Sequence, residues 1–155
     1  QEDIVPVIVC RAKGIGCGVP VGGFGANEKF AEAMEPGDQG STYGGNPLVT
    51  AAVSTVFDIL KKDSIVENCK EVSEYLLEEL DKVVKDYDCV VGHRGLGLMQ
   101  GIVLNVPAKK YVQALLDEGV IVVTAGEKVI RLLPPLVITK GHVDEFITKL
   151  RKVLG

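Results

Sequence analysis

The sequence predicts an α/β protein in two parts, residues 1–61 and residues 62–155. The first observation is a Val/Ile-rich run, Ile4–Cys10, which is typical of a strand buried on both faces. The second is a long helix with one apolar stripe, beginning near Ser64. The third is the alternation of short apolar runs with amphipathic helices after residue 89, which favours an α+β unit with its own core.

The first part is expected to contribute two strands and two helices. The strand before the Gly-rich loop belongs in the middle of a sheet, because continuous apolar runs of this kind are covered on both faces. The last helix is apolar on nearly every side, which predicts that it is buried. In chain order the predicted elements are strands over Ile4–Cys10 and Val19–Phe24, a short helix capped by Asn27 and ending at Met34, a loop over 35–45, and a helix from Pro47 to Leu60.

The second part is expected to fold as a compact α+β unit. Ser64 and Glu67 have the spacing of a capping box and predict a helix that runs to about Lys85. Gly119 is expected to end one later helix, and Thr139 to cap the last. The apolar stripe of the first helix consists of Cys69, Val72, Leu76, Leu80 and Val83. The other predicted elements are strands at 90–91, 99–104, 120–124 and 129–132 and helices at 109–118 and 140–154.

Composition argues against several classes of protein. The net charge of −4 and the pI near 5.2 disfavour nucleic-acid binding, as does the absence of a basic stripe. No apolar segment approaches the roughly 20 residues of a membrane span, and no signal peptide is recognised at the start, so a cytoplasmic location is expected. The four cysteines have no Cys-x-x-Cys spacing, and His93 and His142 stand far apart. Reduced thiols and no metal site are therefore expected.

Lys13 is the first candidate functional residue, because it follows the predicted strand and opens a Gly-rich loop. Ligands of open α/β sheets bind at strand ends. A lysine in such a place is either a phosphate-binding cation or a nucleophilic amine that reacts with a carbonyl. A Walker loop is excluded, since its glycines precede the lysine, whereas Gly14, Gly16 and Gly18 follow Lys13. Neither Gly14 nor Gly16 begins the dinucleotide motif Gly-x-Gly-x-x-Gly.

The second candidate is the segment Gly40-Ser41-Thr42-Tyr43-Gly44-Gly45-Asn46-Pro47. Two hydroxyls, a glycine pair and a helix that starts at Pro47 can form an anion-binding cradle of hydroxyl and N–H donors beside the positive helix end. The same composition is also usual in plain surface loops. The residues alone leave both interpretations open.

Taken together, these segments resemble the class III (fold type I) pyridoxal-phosphate aminotransferases, in particular their acetylornithine/ornithine branch. Residues 12–22, AKGIGCGVPVG, match the lysine motif of the family with Cys17 in place of one glycine. Residues 40–47 match its phosphate motif throughout. Arg94–Ile102 is similar to its small-domain motif Arg-Gly-x-Gly-Leu-Met-x-Gly, and Ile130–Leu136 is a fourth match near the end.

The resemblance implies roles for individual residues. Lys13 would attach the cofactor, pyridoxal 5'-phosphate, and would then move a proton as the catalytic acid and base. Thr42, helped by Ser41, would bind the cofactor phosphate; the family takes this threonine from the neighbouring subunit, so a homodimer is implied. Arg131 would hold the substrate carboxylate in a bidentate manner, the alternative being a strand-end arginine paired with a surface acid. Arg94 is expected to be a structural, solvated arginine in a turn between strands.

The resemblance also implies that residues 1–61 are the end of the large cofactor domain and residues 62–155 the small C-terminal domain. In the family, the aspartate that pairs with the pyridine nitrogen comes earlier, in an Asp-Glu-x-Gln-like motif that this sequence does not contain. The implied reaction is amino transfer from an acetylornithine- or ornithine-like donor to 2-oxoglutarate, as in arginine biosynthesis, incomplete in this chain alone. The alternatives are a non-catalytic fragment or isolated small domain without cofactor, and a phosphate- or nucleotide-binding module that uses the loop 40–47.

Overall fold

The computed structural model describes residues 5–155 and contains both strands and helices, as the sequence predicts. The chain divides into two compact units, Gln1–Asp63 and Ser64–Gly155, which we call unit 1 and unit 2. This division lies two residues after the sequence-based boundary between residues 61 and 62. Each unit is described by itself below.

Unit 1 is built on an antiparallel ribbon of two strands, in which Ile8 pairs with Ala26 and Ala12 with Gly22. The second helix, α2, packs against the short 3-10 turn that follows the first strand. In chain order the elements are β1 (Ile8–Ala12), the 3-10 turn (Lys13–Gly16), β2 (Gly22–Ala26), α1 (Glu28–Ala31) and α2 (Pro47–Lys62).

Two expectations about unit 1 are wrong. The first strand begins at Ile8 and is not buried: Ile8 is 50% exposed, because β1 pairs with β2 and residues 5–63 contain no further strand that covers it. Ile4, the first residue of the predicted strand, lies outside the described residues. The helix α2 is likewise exposed along most of its length, and Val49 is its one buried residue. An apolar sequence makes burial favourable, but only a packing partner produces it.

The second strand of unit 1 also begins later than predicted, at Gly22 rather than Val19. The backbone between the strands is still turning there, since the N–H of Val19 donates to the carbonyl of Gly16 at 3.3 Å. Asn27 caps the following helix as predicted, with its Oδ1 accepting from the N–H of Phe30 at 3.3 Å. The regular helix ends at Ala31, three residues before Met34.

Unit 2 is a four-stranded antiparallel sheet in the order β3-β4-β6-β5. The helices α3 and α5 pack against each other, α3 also contacts β3, and α4 contacts α5 and β5. Compared with prediction, β3 is five residues longer and β5 is confined to two residues. The elements are α3 (Ile65–Asp86), β3 (Val90–Leu96), β4 (Met99–Leu104), α4 (Lys109–Asp117), β5 (Val123–Thr124), β6 (Val129–Leu132) and α5 (Lys140–Leu154).

The core of unit 2 follows the two periodicities of its elements. On α3 the predicted apolar stripe is confirmed for Val72, Leu76, Leu80 and Val83, which are buried, while its first member, Cys69, is partly buried against the same core. On β4 the alternate residues Gln100, Ile102 and Leu104 are buried, and on β6 so are Ile130 and Leu132. These strand residues face the core. The residues between them, including Gly101 and Arg131, therefore face the opposite side of the sheet.

The helices α3 and α5 run side by side in the same direction. Their polar contacts show this, since later residues of α3 contact later residues of α5. These contacts are Glu71–Lys140 at 2.6 Å, Tyr75–Asp144 at 2.5 Å and Asp86–Arg151 at 2.6 Å. The hydrogen bond from Lys140 holds the pKa of Glu71 below its ordinary value, and the same bond raises the pKa of Lys140. The hydrogen bond to Asp144 raises the pKa of Tyr75 to about 12.

The capping box predicted at Ser64 is wrong. Ser64 has a left-handed backbone, with φ of 50° and ψ of 39°, and its side chain makes no capping hydrogen bond. The reason is the length of the connection: Asp63 still bonds back to Ile59 in α2, so two residues alone separate α2 from α3. Thr139 does precede the last helix, as predicted, and its N–H donates to Nδ1 of His142 at 3.0 Å.

Candidate active-site residues

Lys13 stands where β1 ends and the 3-10 turn begins, as its sequence context predicts. Its side chain is exposed, and its backbone is left-handed with φ of 55°. Cys17, at the other end of the turn, is also left-handed, with φ of 48°. A non-glycine residue rarely adopts this conformation. The turn therefore holds Lys13 in a backbone geometry set by its neighbours, and Cys17 occupies a conformation suited to glycine.

Ser41 and Thr42 lie in the loop before α2, and both are exposed. The loop closes tightly, since the N–H of Gly44 donates to the carbonyl of Ser41 at 3.2 Å. A Cβ at Gly44 would lie 2.9 Å from Cβ of Ser41 and 3.2 Å from its Oγ. Only glycine at position 44 leaves this space beside the serine hydroxyl open. The loop is therefore too tightly closed for a side chain at position 44, and the exposed Ser41 and Thr42 are the hydroxyl residues that it offers to a phosphate group.

The start of α2 is less available to an anion than the sequence suggests. Asn46 caps the helix, with its Oδ1 accepting from the N–H of Val49 at 3.1 Å. Its Nδ2 also donates to the carbonyl of Tyr43 at 2.7 Å, and Pro47 has no N–H to offer. Asn46 therefore occupies the N–H of Val49, a helix-start donor that the sequence predicts to be available to an anion. Through these two hydrogen bonds Asn46 also ties the loop to the helix. The cradle must rely mainly on the hydroxyls of Ser41 and Thr42.

Arg131 lies on β6 in unit 2 with an exposed side chain. Its Nη2 donates to Sδ of Met99 at 3.6 Å, a weak contact that leaves most of the guanidinium donors free for other groups. Arg131 borders a cavity of about 170 Å³, and Arg94 borders the same cavity. The expectation of an arginine paired with a surface acid finds no support among residues 5–155, where neither arginine makes a salt bridge.

The sequence-based placement of Arg94 in a turn is wrong. Arg94 lies within β3 and pairs with Gly101 of β4. The spacing contains the signal that would have shown this. A tight turn at Gly97-Leu98 makes 94 and 101 opposite partners of one hairpin, since both stand three residues from the turn.

Three of the four predicted site residues, Lys13, Ser41 and Thr42, belong to unit 1, and Arg131 belongs to unit 2. Within unit 1 the helix α2 connects the two candidate segments. It begins directly after the loop of Ser41 and Thr42, and it packs against the turn that Lys13 opens.

Across the described part of the chain, no group of three or more His, Cys, Asp or Glu side chains is arranged to hold a metal ion. No helix within residues 5–155 has the length and apolarity needed to cross a bilayer. The two histidines have local partners: His93 contacts Asp81 at 2.9 Å, and His142 contacts Thr139.

The chain is similar in sequence to a known family of proteins. The family model described as Aminotransferase class-III matches residues 1–154. The acetylornithine aminotransferase of Streptococcus mutans is 45% identical over 150 residues, covering 97% of this chain and 40% of that protein. The acetylornithine aminotransferase of Aquifex aeolicus is 38% identical over 152 residues, covering 98% of this chain and 39% of that protein. The chain thus spans about 40% of the length of these curated relatives.

Solved structures agree with these sequence matches. The acetylornithine aminotransferase of Elizabethkingia anophelis superposes with a TM-score of 0.90 at 28% identity, covering 99% of this chain and 40% of that one. The ornithine delta-aminotransferase of Plasmodium falciparum gives 0.90 at 29% identity, covering 97% and 40%. The fold is that of the pyridoxal-phosphate-dependent aminotransferases. The chain belongs to the class-III aminotransferase family, and the resemblance drawn from its motifs is confirmed.

Proposed function

We propose that this chain is the lysine-bearing, C-terminal portion of an aminotransferase that moves an amino group from an acetylornithine- or ornithine-like donor to 2-oxoglutarate, as in arginine biosynthesis in the cytoplasm. The observation that carries the proposal is an exposed lysine at a strand end, inside a tight turn, in a class-III aminotransferase chain. The names of the relatives support the donor class. In the same proposal, residues 1–61 belong to the cofactor domain and residues 62–155 to the small domain.

Lys13 is the proposed point of cofactor attachment. Pyridoxal phosphate, when bound, supplies an electron sink for the carbon that carries the amino group. Lys13 then holds and moves the proton at that carbon, a general acid and base role for which its amine is suited by its long, flexible stem. The exposed position of Lys13 at the end of β1 supports this role, since the amine is accessible to a cofactor.

Ser41 and Thr42 are the proposed ligands of the cofactor phosphate. Hydroxyl donors in a tight loop suit a phosphate group, whose oxygens accept strong hydrogen bonds. The exposure of Ser41 and Thr42, in a loop directly before a helix, supports this assignment. By the resemblance, Thr42 serves the site of the neighbouring subunit, so the proposal includes a homodimer.

Arg131 is the proposed ligand of the substrate carboxylate. A guanidinium presents parallel N–H donors that match the two oxygens of a carboxylate. Its exposed side chain, with Met99 as its hydrogen-bond contact, supports this role.

Cofactor attachment tests the proposal first. The purified chain is titrated with pyridoxal phosphate while the visible absorbance of the attached cofactor is followed, and borohydride reduction with peptide mapping then identifies the modified lysine. We expect a saturable band that maps to Lys13 and is abolished by Lys13→Ala. The matched control is Lys29→Ala, which removes another exposed lysine of unit 1 and should leave the band unchanged. Labelling scattered over surface lysines, equal in Lys13→Ala, contradicts the proposal.

The amino-transfer step is tested with the portion of a relative that this chain does not span, since the chain covers about 40% of the length of its curated relatives. Supplying that portion of an acetylornithine aminotransferase in trans should produce glutamate from 2-oxoglutarate with acetylornithine or ornithine as donor. Absence of transfer by a complex that has bound the cofactor at Lys13 would mean a non-catalytic fragment, the second interpretation of the sequence.

The proposed exchange of Thr42 between subunits can be tested by mixing two variants. Lys13→Ala and Thr42→Val chains are refolded together, so that mixed dimers form. If Thr42 serves the neighbouring site, the intact Thr42 of the Lys13→Ala chain completes the site of the Thr42→Val chain. The mixture should then bind pyridoxal phosphate more tightly than Thr42→Val alone. Equal affinity would mean that Thr42 serves the site of its own chain.

A further inference from the structure

Arg94 and Arg131 occupy one row of the unit 2 sheet. Arg94 of β3 pairs with Gly101 of β4, and Gly101 pairs in turn with Arg131 of β6. Directly paired residues of antiparallel strands have their side chains on the same face of the sheet. The two arginines therefore share a face, and two strand spacings, about 10 Å, separate their backbones.

The residue between them keeps the row open. A Cβ at Gly101 would lie 2.9 Å from Cγ1 of Val129 and 3.9 Å from Cγ of Arg94. The aliphatic stem of Arg94 thus lies beside Gly101, on the face of the sheet that also carries Arg131. A side chain at position 101 would crowd Val129 and occupy the space between the two arginines.

The space between the arginines carries positive charge alone. Both border the cavity of about 170 Å³, and the remaining lining residues are uncharged: Gly95, Met99, Gln100, Gly101, Ala125 and Val129. Arg151 provides a contrast elsewhere in unit 2, since its Nη1 lies 2.6 Å from a carboxylate oxygen of Asp86. Two arginines that line one cavity, with no carboxylate among the other lining residues, form a binding site suited to an anion.

The size of the cavity restricts the anion. It is well below the roughly 300–1,000 Å³ of sites that enclose a drug-sized ligand. The backbones of Arg94 and Arg131 lie about 10 Å apart, and both residues line the cavity. Two long cationic side chains in this arrangement suit a small dianion with a negative charge at each end.

We infer that Arg94 is a second carboxylate-binding residue, which acts with Arg131 on one short dicarboxylate across Gly101. The identity of that dicarboxylate as the 2-oxo acid acceptor rests on the proposed function. The anion cleft itself does not, because it lies wholly within unit 2 and needs no cofactor.

The test uses the full 155-residue chain and glutarate, a dicarboxylate that has neither the amino group nor the keto group of a substrate. Side-chain Nε–Hε signals of the arginines, assigned through their backbone connections, are followed by NMR during the titration. We expect the signals of Arg94 and Arg131 to move together and saturate with one dissociation constant, while the signal of Arg151 stays. Binding should weaken with added salt. If the Arg131 signal alone moves, or if neither moves, the inference is overturned.

Variants give the second readout. Loss of one charge-assisted contact predicts that Arg94→Gln weakens glutarate binding by about tenfold. Pentanoate, which has the same chain length and one carboxylate, should be affected less, so the preference for the dicarboxylate falls. Arg151→Gln is the matched control and should leave both affinities unchanged. Glutarate affinity in Arg94→Gln equal to that of the unaltered chain overturns the inference.

A conservative variant and the unaltered chain guard against a loss of binding that comes from misfolding of Arg94→Gln. Arg94→Lys keeps the charge and loses the planar fork, and is expected to bind with intermediate affinity. The titration of the unaltered chain needs no variant, so a misfolded Arg94→Gln would not prevent the test. Failure of pyridoxal phosphate to attach at Lys13 would refute the proposed function and leave the glutarate titration as it is.

Discussion

Unit 2 buries a continuous apolar core, whereas unit 1 leaves most of its apolar side chains exposed. The buried core cluster of the described chain lies entirely in unit 2 and comes from three helices and three strands, with Leu98 and Ala108 added from the connections. In residues 5–63, Val49 is the one buried apolar side chain. Unit 2 is therefore held together by apolar burial, while the conformations of Lys13, Ser41 and Thr42 in unit 1 depend on turns and local hydrogen bonds. Substitutions that remove packing should act on unit 2, and changes of backbone preference should act on unit 1.

The largest expected effect comes from one substitution made in both units. Leu80 in α3 is 1% exposed and Leu48 in α2 is 74% exposed. Leu80→Ala should lower the free energy of unfolding by about 2–5 kcal/mol, since it removes buried methyl groups and leaves a cavity. Leu48→Ala should change it by less than about 0.5 kcal/mol. Urea unfolding followed by circular dichroism measures both changes. Equal losses of unfolding free energy in the two variants would contradict the view that apolar burial stabilises unit 2 and not unit 1.

The next effect concerns a polar clamp on the loop that follows Arg131. Nδ2 of Asn68 donates to the carbonyls of Leu136 at 3.0 Å and Ile138 at 3.1 Å. Asn68→Ala should destabilise unit 2 by about 1–2 kcal/mol, because two carbonyls lose their donor. Asn105→Ala is the matched control, since Nδ2 of Asn105 donates once, to the carbonyl of Asp88.

Asn105→Ala should cost about half as much as Asn68→Ala, in line with one hydrogen bond lost instead of two. If Asn68→Ala unfolds at the same urea concentration as the unaltered chain, the clamp adds nothing to the stability of unit 2. Its contribution would then come from the apolar contacts of the loop alone.

A smaller effect of opposite sign is expected in unit 1. Cys17 adopts a left-handed backbone with φ of 48°. Cys17→Gly should stabilise the turn that holds Lys13 by about 1 kcal/mol, because glycine adopts this conformation without steric cost. Amide hydrogen exchange measures the gain, which should be confined to unit 1. Cys10→Gly, in the regular strand β1, should instead cost about 0.5–1 kcal/mol. Faster exchange in Cys17→Gly would contradict the prediction.

The smallest effect is a dependence of unit 2 on alkaline pH. The hydrogen bond to Asp144 raises the pKa of Tyr75 to about 12, against about 10 in the unfolded chain. Because the folded pKa is the higher one, the stabilisation is complete below about pH 10 and is lost as the pH rises toward 12. Tyr75→Phe should remove this pH-dependent loss. An ultraviolet titration compared between the unaltered chain and Tyr75→Phe isolates Tyr75, and its ionisation near pH 10 would contradict the prediction.

Local signals predicted the elements of this chain well. The stripe of Val72, Leu76 and Leu80 places α3 against the core, since residues three and four apart share one face of a helix. Asn27 and Thr139 stand at the helix starts where the sequence predicts them. The capping box predicted at Ser64 was wrong because the two-residue connection between α2 and α3 places Ser64 in a left-handed backbone conformation. In that conformation its side chain makes no capping hydrogen bond.

The candidate site, too, has features that local sequence predicts and features that it does not. The position of Lys13 at a strand end and of Ser41 and Thr42 in a loop before a helix follows from local sequence. The role of Asn46 in closing that loop, through Tyr43 and Val49, depends on side-chain orientation that the motif does not specify.

The sequence by itself determined the family and the order of strands and helices, and it supplied the candidate site residues, because motifs and periodicity are local properties of the chain. Tertiary structure alone decided that α2 and β1 are exposed within unit 1, and that Arg94 and Arg131 face one cavity across Gly101. The physical reason is that periodicity shows which face of an element is apolar, whereas burial and strand pairing depend on distant segments that cover or adjoin it.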